Sequence, residues 1–285
     1  MAGRTNAHSF DTSRRAALMG AACVAASGGA FAQSASAVAP VDPLGAAIAG
    51  ANRSANNRAR DRWRAPRESL AFFGVQPHHT VVEILPGSVG YWLEILAPYL
   101  KDKGQYVAGG RGEEEKREAY ILDHDRLLAK LAADPATYGK VAVTRFNPTT
   151  RFAAPEASAD FVLTFRNLHN WIERDQIEGA LEAFNKALKP GGVLGVSDHR
   201  GRTDLSQDAQ MKSGYIRQDY AVALIEKAGF KLAGTSEAKA NPKDTKDHPA
   251  GVWTLPPSYR LKDQDREKYA AIGESDRFLL KFIKA

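Results

Sequence analysis

The sequence predicts an α/β fold: a seven-stranded, mostly parallel sheet flanked by helices, preceded by an N-terminal helical extension. Three observations carry this. From Thr80 onward, short β-rich apolar runs alternate with segments of helical period. Seven such runs can be read before the chain ends. The first of them leads through a small-residue turn, Pro86 to Gly90, directly into a helix. Composition agrees: 285 residues with 44% hydrophobic, 25% charged, 24 Gly and 14 Pro is ordinary globular usage, neither disordered nor collagen-like.

Taken in chain order, residues 1–37 read as an export leader. Ser13-Arg14-Arg15 precedes a small and apolar run, Ala16 to Phe31, and both Ala30-Phe31-Ala32 and Ala35-Ser36-Ala37 fit a small-x-small cleavage site. Paired arginines before a weakly hydrophobic Ala/Gly run point to the twin-arginine export machinery, hence to a periplasmic or secreted protein cut near Ala32 or Ala37. Gly20, Ser27, Gly28 and Gly29 dilute the run too far for a stable membrane anchor. The single cysteine, Cys23, falls inside the leader, so the mature chain has no disulfide and no cysteine nucleophile. Lipid attachment there would need a Leu-like residue where Gly20 stands.

Residues 38–79 form the helical extension, with Ala59, Trp63, Leu70 and Phe73 expected to be buried. Residues 80–285 form the main domain. Its expected strands are Thr80 to Leu85, Gln105 to Ala108, Lys140 to Arg145, Asp160 to Phe165, Val193 to Ser197, Phe230 to Ser236 and Arg277 to Ile283. Ile177, Ala180, Leu181, Phe184 and Leu188 mark one face of a helix stopped by Lys189-Pro190-Gly191-Gly192. Ala221, Leu224, Ile225 and Ala228 mark another, ending at Gly229. Glu113 to Ala133 reads as a third, acidic at its start, with Ile121, Leu128 and Leu131 inward. Asn241 to Asp265 is a long loop rich in Pro, Asp and Lys, a candidate for closing over a site.

Net charge excludes one class of partner. The formal +6 falls to +4 when Arg4, Asp11, Arg14 and Arg15 of the leader are set aside, and the densest basic stretch, Arg58 to Arg67, is interrupted by Asp61 and Trp63. No run suited to neutralising successive phosphates is present, so no nucleic acid is expected.

The strand Val81-Val82-Glu83-Ile84-Leu85 and the turn Pro86-Gly87-Ser88-Val89-Gly90 would let a backbone approach a ligand, with the first N–H groups of the next helix facing it. Taken with Ala159-Asp160-Phe161-Val162-Leu163-Thr164-Phe165, with Leu188-Lys189-Pro190-Gly191-Gly192 before Val193, and with Ala228-Gly229-Phe230, the order of parts resembles the class I S-adenosylmethionine-dependent methyltransferases. More narrowly, Thr164 to Trp171, Asp198-His199-Arg200, Asn241 to Asp247, Gly251 to Pro257 and Ile272 to Arg277 resemble the exported predicted methyltransferases of bacteria.

The resemblance implies S-adenosylmethionine as cofactor and a small-molecule acceptor. Glu83 would orient the cofactor's amino-acid end over Gly87, Ser88 and Gly90, and Phe165 would complete that side. Arg166, Asn167, Asn170 and Trp171 would face the substrate. Two departures stand out: Val89 replaces a glycine of the Gly-x-Gly-x-Gly spacing, and the second strand ends Ala108-Gly109-Gly110 where an acid normally takes the ribose hydroxyls. Glu113 would substitute only if the loop folds back.

His169, Asp198 and His199 are expected at the ends of neighbouring strands, with His248 on the loop above, as a proton-transfer site needs. The same residues suit a metal, but no short ligand motif supports one and none is expected. Arg200, like Arg166, would bind an anionic substrate or form an ion pair with Asp61 or Asp198. No Gly-x-Ser-x-Gly elbow or Walker loop is present. The alternative to an enzyme is a non-catalytic extracytoplasmic binding protein on the same fold, which the missing acid favours.

Overall fold

The computed structural model describes residues 42–112 and 115–285, so the leader and Glu113 lie outside the described residues. Seven strands form one sheet: β1 Thr80–Ile84, β2 Gln105–Arg111, β3 Ala142–Phe146, β4 Ala159–Phe165, β5 Leu188–His199, β6 Phe230–Ser236 and β7 Arg277–Lys284. Their order is β3-β2-β1-β4-β5-β7-β6. All neighbours are parallel except β7, which runs antiparallel between β5 and β6.

Both faces of the sheet are covered, because successive residues of a strand point to opposite sides. Val82 and Ile84 join Leu194, Trp171 and Phe184 on one face, where α8 Leu168–Glu173 and α9 Ile177–Ala187 pack. Val81 joins Leu163, Leu96 and Leu279 on the other, beneath α5 Leu93–Leu100. α11 Gln218–Lys227 lies against β6, and the last helix is α12 Arg266–Ile272.

The N-terminal extension is not one helix but four short ones, α1 Pro43–Ile48, α2 Ala55–Arg58, α3 Asp61–Arg64 and α4 Pro66–Phe73. Pro66 cannot continue a helix, and Ala65 turns through a left-handed φ of 41° to start α4 afresh. Leu70 and Phe73 are buried as expected, and Phe73 lies so close to β5 that a Cβ at Gly195 would stand 2.8 Å from its ring. Ala59 is exposed and Trp63 only half-buried; Arg53, Asn57 and Arg64 take the interior instead. Arg53 is sustained there by two 2.7 Å bonds to Asp61.

A further difference falls on α6 Glu118–Ala133, followed by α7 Pro135–Tyr138. Ile121 and Leu128 face solvent, while His124 and Leu127 are buried and Leu131 is partly so. The reason is in β2: Gly110 has no Cβ, and the position one would take lies 2.6 Å from the His124 ring. The bare strand end admits the imidazole and rotates the helix away from the face its leucines suggested. Residues Asn241 to Asp265 are also not a free lid. Asn241, Asp244, Thr254 and Leu255 are buried, and Asn241 Nδ2 donates to the carbonyls of Ile272 and Glu274.

Candidate functional site

The strand order reverses between β1 and β4, and a crevice opens outside the carboxyl ends of such strands. Here it is a cleft of about 190 Å³. Leu85 borders it from β1, Arg111 from β2, Asn147 from β3, and Asn167, Asn170 and Trp171 from β4. Trp171 also packs on Phe146 and Phe184, so its ring is structural as well as cleft-lining. Asn167 Nδ2 donates to the Ile84 carbonyl, which ties the ends of β1 and β4 together.

The glycine turn is sharply folded, with φ of 53° at Leu85, 64° at Gly87 and 56° at Gly90. It is closed from above by α6: the Ser88 amide and hydroxyl donate to Asp123 at 3.0 and 2.6 Å, and a Cβ at Gly87 would lie 3.3 Å from that carboxylate. Glu83 is buried and accepts the Tyr106 hydroxyl at 2.6 Å. Burial pushes its carboxyl up to about 7, against the lowering effects of Tyr106 and Arg64. In the loop after β2, the Glu115 side chain lines the cleft. Arg117 grips it at 2.7 Å through Nε and, with Arg111 at 3.7 Å, holds it down to about 2.

His169 opens α8 and meets Asp198 from the end of β5. Its Nδ1 lies 2.9 Å from Asp198 Oδ1, and because a carboxylate only accepts, Nδ1 carries the proton. Nε2 then accepts from Asn170 Nδ2 at 3.0 Å, and Asn170 lines the cleft. Asp198 is fully buried and also accepts the backbone amides of His169 and His199. His199 bonds Ser275 through Nδ1; burial, then His169, Arg277, Arg166 and Arg64, hold it well below the ordinary histidine range, so it is neutral. Ligand atoms of His169, Asp198 and His199 lie within 4.8 Å of one another, but the surrounding arginines oppose a metal cation there.

Other expected residues stand elsewhere. His248 does not reach His169; it bonds Asp244 at 2.8 Å, a carboxylate that also accepts the Tyr215 hydroxyl and the Asp276 amide. Arg200 pairs with Glu237 at 2.6 Å and Asp276 at 3.9 Å, not with Asp61 or Asp198, which are taken by Arg53 and His169. Phe165 stacks on Trp92 with centroids 4.3 Å apart. Arg166 leaves β4 with a left-handed φ of 62° and a buried Nε that bonds nothing. Beside it are Arg64, Lys239, Glu274 and Arg277, none of them expected in the site, although Glu274 and Arg277 fall in the Ile272 to Arg277 segment that carries the family resemblance.

No protein-family model and no curated protein matches this chain. Among solved structures it is similar to an S-adenosylmethionine-dependent methyltransferase from Aquifex aeolicus, at 16% identity and a TM-score of 0.53, covering 86% of this chain and 100% of that one. It is similar also to the [4+2]-cyclase SpnF, at 16% identity and a TM-score of 0.52, covering 85% and 91%. Likeness at this identity concerns the fold: the protein has the seven-stranded fold of the class I S-adenosylmethionine-dependent methyltransferases.

Proposed function

We propose that this protein transfers a methyl group from S-adenosylmethionine to a small molecule at the carboxyl edge of its sheet. The observation that carries this reading is the buried His169–Asp198 pair, whose Nε2 reaches the switch-point cleft through Asn170. The cleft has the donor set a cationic nucleoside needs. Glu115, gripped by Arg117, would still have lone pairs for ribose hydroxyls, Asn147 and Asn167 offer amides, and Trp171 offers aromatic surface. The bound cofactor would supply an electrophilic methyl on sulfonium.

The chain's own part is alignment and proton removal. His169 Nε2, released from Asn170, takes the proton of the attacking O–H or N–H, and Asp198 steadies the imidazolium through Nδ1. The leader reading places the protein outside the cytoplasm, exported folded by the twin-arginine machinery with its cofactor bound before export. Among the described residues no helix is long and apolar enough to cross a membrane. A second reading, a binding protein without turnover, is favoured by the Ser88 donors being engaged by Asp123 and by the bare end of β2.

Calorimetric titration of S-adenosylmethionine and its demethylated product into refolded mature protein separates the two. Methyl transfer predicts micromolar binding that Gly87→Arg abolishes. His169→Ala should keep donor binding and lower turnover by about 10²–10⁴-fold. Absence of donor binding, with another small molecule seen by native mass spectrometry in protein isolated from the periplasm, would leave only the binding-protein reading.

A further inference from the structure

On the Trp92 side of the segment that follows β4, buried positive charge is far in excess. Arg60, Arg64, Arg166, Lys239 and Arg277 gather around one carboxylate, Glu274, and burial, then neighbouring cations, hold Arg64, Arg166 and Lys239 below their ordinary ranges. Glu274 already holds Arg60 at 2.6 Å, Arg277 at 2.5 Å and Arg64 at 3.5 Å. Among the described residues neither Arg166 nor Lys239 is ion-paired, and the one hydrogen bond of the Lys239 ammonium is a long 3.4 Å contact to Ser197 Oγ. Among the described residues, four enclosed guanidinium nitrogens of this cluster have no acceptor: Arg60 Nη2, Arg64 Nη2, Arg166 Nε and Arg277 Nε. Arg64 and Arg277 are only 5% and 2% exposed, so bulk water does not satisfy them.

The walls are aromatic. Lys239 Nζ sits 4.7 Å from the Trp92 ring and 4.8 Å from Phe165, and Arg64 lies 4.7 Å over Tyr91. Aromatic surroundings lower the local dielectric and raise the attraction for an anion. The cluster also adjoins the proton-transfer pair: Arg277 is the ladder partner of His199, and Arg166 feels Asp198.

We infer that Arg64, Arg166, Lys239 and Arg277 form a pocket for a small oxyanion, the phosphate or carboxylate group of the molecule on which His169 acts. The missing acceptors are what such a group brings, in the planar fork geometry guanidinium favours. A divalent cation is the wrong sign, and a neutral group supplies acceptors without the negative charge that would offset the cluster. As a substrate subsite, the pocket rests on the reading of His169 as a substrate-facing base; as a binding site, it does not.

The test is calorimetric titration of inorganic phosphate, sulfate and acetate into the mature protein at constant ionic strength, with chloride as control. One exchangeable anion per chain is expected, with affinity weakened about tenfold or more by Arg166→Gln, one charge-assisted contact being worth at least that. Lys239→Met is the second variant, and a thermal melt of each checks that it folds. No saturable binding above chloride, or both folded variants binding like the wild type, would overturn the pocket. Phosphate retained through refolding and desalting would mark a resident ion and overturn the substrate subsite. Donor titration is read separately, so anion binding without donor binding removes methyl transfer and leaves the pocket standing.

Discussion

Replacing Glu83 by Gln should stabilise the protein at alkaline pH and leave it nearly unchanged in acid. Glu83 stands in the middle of the sheet, hydrogen-bonded by Tyr106, and burial raises its carboxyl from the ordinary 4.5 to about 7. Below pH 4.5 both folded and unfolded chains hold the proton. Between 4.5 and about 7 the unfolded chain releases it while the folded chain keeps it, so stability falls as pH rises through this window. At ~1.4 kcal/mol per pH unit, the loss is about 3 kcal/mol, complete above pH 7. A Gln carboxamide still accepts the Tyr106 hydroxyl but has no charge to desolvate. Urea denaturation of both proteins from pH 5 to 8.5 should therefore show the variant's advantage growing by about 2–3 kcal/mol. A difference that stays constant with pH would show that Glu83 is not desolvated as its burial implies.

Glu274→Gln should act in the opposite direction, costing about 3–5 kcal/mol by leaving Arg60, Arg64 and Arg277 uncompensated. Its folded carboxyl is held far below the ordinary range, burial being outweighed by the arginines, so this contribution is flat from pH 8 to 5 and is lost progressively as pH falls below the ordinary 4.5. Denaturation at pH 7 and pH 3 checks both parts. Gly195→Ala forces a methyl to 2.5 Å from Leu163 and 2.8 Å from Phe73, and should cost about 1–3 kcal/mol, seen as a melting temperature several degrees lower. Arg166→Gly removes about 1 kcal/mol of left-handed strain and a half-buried cation, so the melting temperature should hold or rise while phosphate binding weakens about tenfold or more. A melt that collapses in this variant would make Arg166 structural.

The strands were legible because their signal is local. Phe230–Ser236 has the limits its β-rich composition gave, bounded by Gly229, and β1, β4 and β7 differ by a residue at one end or, for β1, at Leu85. β2 and β5 run longer than expected, into Gly109 and Gly110 at one end and through the Lys189-Pro190-Gly191-Gly192 bulge at the other, because glycine lowers strand propensity without preventing pairing. The face of α6 was not legible: it depends on what is absent from Gly110, a residue of another element. Of the expected site, His169, Asp198 and His199 do converge, and Asn167, Asn170 and Trp171 do line one cleft. Of the cationic cluster, Arg166 was expected to meet an anion and Arg277 lies in the Ile272 to Arg277 segment, but Arg64 and Lys239 come from separate segments with no local signal that joins them. Glu115 and Asp123 were hidden because they serve neighbours, Arg117 and Ser88, in or beyond the loop after β2.

A fold shared with both a methyltransferase and a cyclase does not choose the chemistry, so the choice rests on the site. Here the short segment from Phe165 to Trp171 organises it. The left-handed turn at Arg166 divides the chain direction: Phe165 and Arg166 join Trp92 and Lys239 on the cationic side, while Asn167, Asn170 and Trp171 border the cleft. His169 lies between them, its Nδ1 fixed by a carboxylate and its Nε2 held by one movable amide. On the proposed reading, an electrophile from the cleft and a nucleophile anchored by its anionic group on the cationic side would meet beside that nitrogen, which would take the nucleophile's proton. Donor binding and anion binding therefore have to be measured on the same protein.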